Sequence, residues 1–414
     1  MGGEQKFALV VQRIEQRPSK PWMGVRFPPR VSMREKIFLF LFLILLAFLF
    51  INPVRCSLSN GVNFDLPPHQ YIGSGGLPLK KYPSYIKGVY LTSWTASDQR
   101  RIDYFIDLVN TTELNAVIID IKEVDGKIAF DTQSPLIDEL GTEEVMIHNL
   151  NQLIDKFHKE NIYAIARIVV FKDKVLPKIK PEWALKDKQG GVWHDWAGRI
   201  WLNPTSKEVW DYHIELAKGA VRAGFDEINF DYIRFPSDGD ISQIDYSQFG
   251  NLARNSASYN EVPKAELMEE FFKYLSQELK PTGAFLSADL FGLTLWNEGN
   301  NDMNIGQILE LALPYFDFIC PMVYPSHYPD GFENFSNPAA YPYEIIKINL
   351  EKGQKRLIEG GAKIRPWLQD FDMGAIYDKR MINLQKQAVY DTDSYGWMLW
   401  NSSNRYTEEA LERN

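Results

Sequence analysis

Short apolar runs alternate with amphipathic segments along the chain from residue 87 onward. Apolar runs of this length predict buried β-strands, because a parallel strand that is covered on both faces is apolar almost throughout. Eight such runs occur, at residues 87–94, 116–123, 162–170, 227–235, 285–291, 317–324, 364–370 and 396–400. Segments between them repeat apolar residues at helical spacing and predict helices, for example at residues 97–109, 143–160, 206–222, 262–279, 342–359 and 378–389.

Eight strand–helix units in succession predict an α/β protein with a (β/α)8 TIM barrel at residues 83–414. The competing architecture is a doubly wound open sheet, which usually has fewer strands and a glycine-rich first turn. Side chains that perform chemistry in a barrel lie at the C-terminal ends of its strands. We therefore expect the functional residues at these strand ends.

A continuous apolar segment at residues 37–51 precedes the barrel and follows Arg34 and Lys36. Fifteen helical residues span about 22 Å, which is less than the roughly 30 Å hydrocarbon core of a membrane. This length favours a signal peptide with cleavage near Cys56, but the uncharged stretch continues to Val54 and leaves an uncleaved membrane anchor open. The positive charges before the segment predict that the barrel lies outside the cytoplasm, either secreted or membrane-anchored.

The predicted domain boundaries follow from this apolar segment. Residues 33–56 form the signal peptide or membrane anchor, and residues 57–82, which contain glycine and proline clusters, form a linker. Residues 1–32 are expected to be a non-native or disordered extension, because Met33 and the basic residues after it would make a conventional signal-peptide start.

Composition narrows the range of ligands. The formal charge is −9 and no cluster of Lys or Arg offsets it, so we expect no nucleic-acid partner. The six histidines form neither an H-x-H nor an H-E-x-x-H pattern, and we expect no metal and no other cofactor. Two cysteines, Cys56 and Cys320, do not indicate a disulfide framework. Eleven Trp and 20 Tyr are enough both to fill a core and to stack on sugar rings.

Residues 224–236 read as one buried strand that carries polar side chains among apolar ones. Alternate residues of a strand share a face, so Asn229, Asp231 and Ile233 are predicted to point in the same direction. A carboxylate in such a run costs several kcal/mol unless other groups compensate it. Asp231 is therefore either a structural acid, bound by backbone amides or by Arg234, or a functional group.

The predicted strand ends bring together acids, an amide, aromatic rings and a few cations. Carboxylates and amides bind hydroxyl groups and aromatic rings stack on sugar faces, whereas the acids would repel a phosphate. For Arg167 and Trp367, at the same ends, we expect structural roles. The candidate substrate-binding residues are Trp94, Asp120, Glu123, Asn229, Arg234, Trp296, Tyr324, His327, Asp370 and Trp400.

Asp231 and Asp289 are the predicted catalytic pair, because cleavage of a glycosidic bond generally needs one ionised and one protonated carboxyl group. They end neighbouring strands about 4.8 Å apart, so the carboxyl separation of about 5–5.5 Å in retaining glycosidases is within reach, and an inverting geometry also stays open. We assign Asp231 as nucleophile or charge stabiliser and Asp289 as general acid/base. The alternative acids are Asp120, Glu123, Glu298 and Asp302.

Neighbouring residues are expected to shift the pKa values of the two carboxyl groups in opposite directions. Arg234 and Asn229 should keep Asp231 ionised. The apolar residues that follow Asp289 in the sequence should raise its pKa.

Three segments stand out beyond the strand pattern. They are residues 224–236, residues 321–328 with the sequence PMVYPSHY, and residues 396–400 with the sequence GWMLW. These segments resemble a bacterial family described as a "putative glycosyl hydrolase domain". The resemblance covers roughly residues 87–400 and implies a (β/α)8 fold and a glycosidase-like activity.

The predicted fourth strand is also similar to that of chitinase-type barrels of glycoside hydrolase family 18, which reads D-x-x-D-x-D-x-E. The last acid of this motif falls on Ile233, which cannot donate a proton, so a substrate-assisted chitinase mechanism is not supported. The other matching positions are Asp226, Asn229 and Asp231, then Met322, Tyr324 and Pro325, and finally Trp400.

Together these features predict an extracytoplasmic glycoside hydrolase that acts on a polysaccharide of the cell wall or matrix. The alternative is a non-catalytic barrel that binds carbohydrate through the same aromatic residues. A metal-dependent deacetylase would need histidines clustered at the strand ends, and the first strand has none. If the N-terminal segment is not cleaved, the membrane is a second partner. The loop at residues 171–203, with four tryptophans, is expected to wall the cleft, or else to fold as a flap over hydrophobic surface.

Overall fold

The computed structural model describes residues 79–251, 253 and 255–414. Nine strands within them form one parallel sheet: β1 Ile86–Leu91, β2 Ala116–Lys122, β3 Tyr163–Val169, β4 Glu227–Asp231, β5 Phe285–Phe291, β6 Phe318–Met322, β7 Lys363–Ile364, β8 Trp367–Gln369 and β9 Gly396–Trp400. The same residues contain ten α-helices: α1 Ser93–Ser97, α2 Gln99–Thr111, α3 Pro135–Leu140, α4 Leu150–Lys159, α5 Leu176–Ile179, α6 Lys207–Ala223, α7 Lys264–Leu279, α8 Leu309–Ala312, α9 Pro342–Gln354 and α10 Lys379–Tyr390.

The sheet closes on itself into a barrel. β1 to β6 pair in sequence order, and β9 pairs with both β1 and β8. β7 and β8 share one position, because β6 pairs with each of them and they are separated by Arg365 and Pro366. A proline has no backbone N–H to donate, which explains the interruption of the ladder. Eight positions with helices between them make a (β/α)8 barrel and confirm the predicted fold.

Two predicted helices begin differently in the structure. The helix predicted at residues 97–109 corresponds to α2 and begins at Gln99, because Asp98 ends α1 and its side chain caps the N-terminus of α2. The helix predicted from residue 143 begins at Leu150 as α4, because residue 143 belongs to an isolated β-bridge.

The fourth strand ends earlier than predicted. β4 stops at Asp231, and Tyr232 adopts a left-handed backbone conformation with φ of 54°. A residue in this conformation breaks the alternation of faces along the chain. Ile233 consequently belongs, like Phe230, to the apolar layer between sheet and helices. The prediction that Asp231 and Ile233 share a face is therefore wrong.

Two apolar layers stabilise the barrel. The larger one lies between the sheet and the helices, and the smaller one fills the barrel interior with side chains such as Ile118 and Ile165. Leu79 is buried in the interior layer, and Tyr82 packs edge-on against Phe285 with ring centroids 6.2 Å apart. Phe285 begins β5, so these residues fill the end of the barrel opposite to the C-terminal ends of the strands.

The predictions for residues 1–32 and 33–56, and those for residues 57–78 of the linker predicted at residues 57–82, concern residues that lie outside the described part of the chain. In the described part of the chain, no helix is long and apolar enough to cross a membrane. Cys320 is a buried free thiol in β6.

Candidate active site

Asp231 and Asp289 are neighbours at the C-terminal ends of β4 and β5. The two strands pair in register as far as Phe230 and Ala288, so the next residue of each strand is one of the two acids. Adjacent strands are about 4.8 Å apart, which brings the two carboxyl groups close together. Asp231 is 7% exposed and Asp289 is 1% exposed, so Asp231 is the more accessible of the two.

Arg167 of β3 contacts three carboxyl groups in the barrel mouth. Its Nη1 donates to Asp120 Oδ1 at 2.5 Å, its Nη2 donates to Asp231, and its Nε lies 3.7 Å from Asp289 Oδ2. Because one guanidinium group contacts both Asp231 and Asp289, their carboxyl groups lie within the roughly 9.5 Å upper limit of glycosidase pairs. Arg167, for which the sequence predicts a structural role, is thus at the centre of the acids. A cation inside an otherwise apolar strand was the available signal.

Burial and crowding of the acids set their protonation. Burial raises the pKa of Asp289 well above its usual range, the charge of Asp231 adds to this rise, and Arg167 opposes it. Burial raises the pKa of Asp120 to about 6, against the opposing charge of Arg167. The pKa of Asp289 is thus shifted in the direction that the sequence predicts.

Asp289 is held by two donors. Its Oδ1 accepts a hydrogen bond from Asn229 Nδ2 at 2.9 Å and another from Trp367 Nε1 at 2.8 Å. Asn229 thus supports Asp289, whereas the sequence predicts support for Asp231. Asp231 Oδ1 instead accepts from the backbone N–H of Tyr232 at 2.6 Å, which the left-handed turn directs back at the carboxylate.

An aromatic wall lies beside the acids, on the β1 and β9 side. The rings of Tyr90 and Trp400 stack with centroids 3.9 Å apart, and the guanidinium of Arg167 lies 5.0 Å from the Trp400 ring. The Tyr90 hydroxyl donates to Asp120 Oδ2 at 2.5 Å. The wall therefore fixes one acid and leaves Trp400 partly accessible.

Tyr324 and His327 lie on the β6 side of the mouth. The Tyr324 ring packs edge-on against His327 at 5.0 Å and against Phe371 at 5.7 Å. Burial lowers the pKa of His327 to about 4, so its imidazole is neutral at physiological pH. Burial raises the pKa of Tyr324, and Asp289 and Asp231 raise it further because they are close to its hydroxyl.

Three further candidates lie at the rim. Glu123 accepts hydrogen bonds from the backbone and hydroxyl of Ser93, which joins the end of β2 to α1. Trp94 is the next residue and is 67% exposed. Asp370 accepts from the backbone N–H and hydroxyl of Thr407, at 2.9 and 2.8 Å, and so holds the C-terminal segment against the end of β8.

Arg234 has an aromatic environment. Its guanidinium lies 4.9 Å from the ring of Trp201 and 4.8 Å from that of Phe291, and Nη1 donates to the carbonyl of Phe235 at 3.0 Å. The cation that contacts Asp231 is Arg167, not Arg234 as expected. The expectation failed because the turn at Tyr232 redirects the chain before Arg234.

Trp296 lies in the helix layer. Its ring packs edge-on against Phe332 at 4.9 Å, and the Lys352 ammonium of α9 lies 3.8 Å from the ring centroid. Glu298 pairs with the same lysine at 3.8 Å, and Asp302 accepts from the backbone of its own loop. The structure does not bring these three candidates to the cluster around Arg167.

Among the described residues, one group of acids is close enough to share a cation. Asp131, Asp138 and Glu143 have carboxylate oxygens within 4.8 Å of one another, and the first two are exposed. Glu143 already accepts hydrogen bonds from Thr132 at 2.9 and 2.7 Å. These residues lie between β2 and α4 and are not part of the cluster formed by Arg167, Asp231 and Asp289.

Solved structures resemble this barrel. A hypothetical protein from Ruminiclostridium thermocellum is 39% identical, covering 49% of this chain and 96% of its own, with a TM-score of 0.43. The glycoside hydrolase domain of PgaB (BpsB) from Bordetella bronchiseptica is 14% identical, covering 78% of this chain and 95% of its own, with a TM-score of 0.56. An α-galactosidase from Thermus thermophilus in complex with stachyose is 13% identical, covering 80% and 64%, with a TM-score of 0.45. The likeness to the Bordetella domain shows the shared fold.

No curated protein matches the sequence. The sequence model of a family described as "Putative glycosyl hydrolase domain" matches residues 88–406. This range runs from β1 past β9 and includes the acids, Arg167 and the aromatic wall. Because the match covers most of the chain, the protein belongs to this family of glycosyl hydrolase domains.

Proposed function

We propose that this protein hydrolyses glycosidic bonds in an oligosaccharide or polysaccharide, with Asp231 and Asp289 as its catalytic carboxyl groups. The observation that carries the proposal is the arrangement of the two acids around Arg167. They directly follow the last paired residues of adjacent strands, Phe230 and Ala288. Burial raises the pKa of Asp289, while Asp231 accepts hydrogen bonds from Arg167 and from a backbone N–H. Membership of the family supports the same reaction class.

The two carboxyl groups divide the reaction between them. Asp289 donates its proton to the glycosidic oxygen, so that the leaving sugar departs as a neutral alcohol. Asp231 stabilises the positive charge that develops on the remaining sugar, or bonds to its anomeric carbon. Asp289, now ionised, then takes a proton from a water molecule whose oxygen bonds to the anomeric carbon. Any bond between Asp231 and that carbon breaks in this step, so both carboxyl groups return to their starting states. Neighbouring positions on adjacent strands favour the retaining course.

Substrate binding is assigned to the aromatic and polar groups around the pair. Trp400 and Tyr324 flank the acids. Trp400 is partly exposed and is assigned to a sugar ring, and the exposed Trp94 extends this surface at the rim, whereas Tyr324 is buried beneath it. Asp120 and Glu123 can accept hydrogen bonds from sugar hydroxyls. An extracytoplasmic polysaccharide is the proposed substrate, on the strength of the apolar segment at residues 37–51.

One observation favours a second function, carbohydrate binding without turnover. Asp289 is 1% exposed and its Oδ1 is occupied by Asn229 and Trp367, so its proton reaches a substrate only if the mouth widens. A barrel that only binds sugar needs the aromatic surface but no accessible acid.

The deciding experiment compares Asp231→Asn and Asp289→Asn with the wild-type protein on a panel of purified polysaccharides and aryl glycosides. Each substitution should reduce turnover by about 10²–10⁴-fold, the usual contribution of a positioned acid or base. Glu298→Gln is the matched control, because Glu298 is exposed and pairs with Lys352 outside the mouth. Undiminished turnover in Asp231→Asn would remove it from the mechanism, and binding without turnover in the wild type would establish the second function.

A further inference from the structure

Residues 193–201 form a hydrogen-bonded hairpin in the long loop after β3. His194 and Ile200 form an antiparallel bridge, and the backbone N–H of Asp195 donates to the carbonyl of Arg199 at 3.0 Å. The Asp195 carboxylate accepts from the backbone of Arg199 at 2.9 Å and from its Nε at 2.6 Å. Gly198 supplies a left-handed φ of 70° at the turn. Backbone and side-chain hydrogen bonds therefore hold the two arms of the hairpin together up to its tip.

The three tryptophans of the hairpin differ in exposure to solvent. Trp193 is 3% exposed and Trp201 is 1% exposed, so both serve the core of the loop. Trp196, at the tip, is 69% exposed. A tryptophan gains stability mainly through burial, and this position would accept any small polar residue without loss of the hairpin bonds. The folded monomer therefore gives no reason for an indole at this site.

The base of the hairpin is fixed to the segment that follows Asp231. The Trp201 ring lies 6.0 Å from the Tyr232 ring, and Arg199 pairs with Asp238 at 3.5 Å. Trp193 Nε1 donates to the carbonyl of Asp240 at 3.1 Å. Five extended residues from Trp201 to the tip span at most roughly 16 Å. Trp196 therefore lies at the exposed end of a hairpin whose base packs on the segment directly after Asp231, the candidate catalytic carboxylate.

We propose that Trp196 stacks on a sugar ring of a polysaccharide at a position several rings away from the bond that is cleaved. The ligand class rests on the proposed function. An indole face binds the apolar face of a pyranose, and a tip that is already ordered loses little entropy on binding. The inference deepens the proposed function, because it makes the substrate a polymer that extends from the mouth along the hairpin.

The test measures binding in the Asp231→Asn protein, so that the result does not depend on turnover. Retention of the full chain is measured on three insoluble probes, namely purified peptidoglycan sacculi, chitin and cellulose. Adding Trp196→Ala should weaken retention on the bound polymer about tenfold, and Trp196→Tyr should restore most of it because it keeps an aromatic face. The matched control is Ile358→Ala, a loss of an exposed apolar side chain at the opposite end of the barrel.

Three outcomes would overturn the inference: no retention on any probe, equal retention with and without the indole, or a Trp196→Ala change in oligomeric state by sedimentation with retention unaltered. The last result would assign the tip to contact with a second copy of the chain. If the wild-type protein cleaves none of the polymers but retention depends on Trp196, the proposed hydrolysis fails and the inference stands.

Discussion

The barrel interior contains two ionic clusters that differ in charge balance. In the lower cluster, Arg365 pairs with Glu227, and both side chains are 0% exposed. Glu227 also accepts from Ser287 Oγ at 2.5 Å and from the Tyr163 hydroxyl at 3.1 Å. In the cluster at the mouth, Arg167 contacts three carboxyl groups instead of one.

The difference separates a structural pair from a reactive site. A buried acid that is matched by one base carries no net charge and needs no proton or ligand. Three acids around one guanidinium leave an excess of negative charge, so the pKa of Asp289 is raised both by its burial and by the charge of Asp231. The two clusters are connected, because Asn229 Nδ2 donates to Ser287 Oγ at 3.0 Å and to Asp289 at 2.9 Å. The Arg365–Glu227 pair is thus linked through Ser287 and Asn229 to the Asp289 carboxyl group at the mouth.

The largest effect on stability is expected in the lower cluster. Arg365→Met should reduce the free energy of unfolding by about 3–5 kcal/mol, because Glu227 is left as an uncompensated buried charge. Urea denaturation followed by tryptophan fluorescence measures the change. The double variant Arg365→Met with Glu227→Leu is the control and should recover most of the loss. A single variant as stable as the wild type would show that the pair does not compensate a charge.

Asp120→Asn, in the mouth of the barrel, is expected to increase the free energy of unfolding, by less than Arg365→Met decreases it. Burial raises the pKa of Asp120 from 3.8 to about 6 in the folded protein. The contribution of this acid to stability is thus greatest below pH 4 and is lost as the pH rises through about 6. Relative to the wild type, the variant should gain up to about 3 kcal/mol between pH 4 and pH 7. Denaturation at both pH values measures it, and a pH-independent difference would contradict the assignment.

The smallest effect is a shift in the pH–activity profile of Arg167 variants. Arg167 opposes the rise in the pKa of Asp289, so Arg167→Met should raise this pKa further. Asp289 then keeps its proton to higher pH, and the alkaline limb should move up by about one unit. Arg167→Lys retains the charge and should leave the limb near its original position. Identical limbs in all three proteins would show that Arg167 does not influence the acid.

The fold and the acid pair could be predicted because both follow from spacing along the chain. Continuous apolar runs predict buried strands, and adjacent strands bring Asp231 and Asp289 together. The contacts of Arg167 and Arg234 could not be predicted, because a long side chain reaches several neighbours and its partner depends on the packing. Trp296 was misplaced because its loop leaves the mouth for α9.

The turn at Tyr232 limits what can be built on this scaffold. Family 18 chitinases carry their acid two positions after the residue that matches Asp231, and a designer would install a glutamate at Ile233 to copy them. In this chain position 233 belongs to the apolar layer beneath the helices. A glutamate there would be buried without a partner and would never reach a sugar. A motif read along the sequence can be transplanted only where the backbone conformation after the strand is also the same.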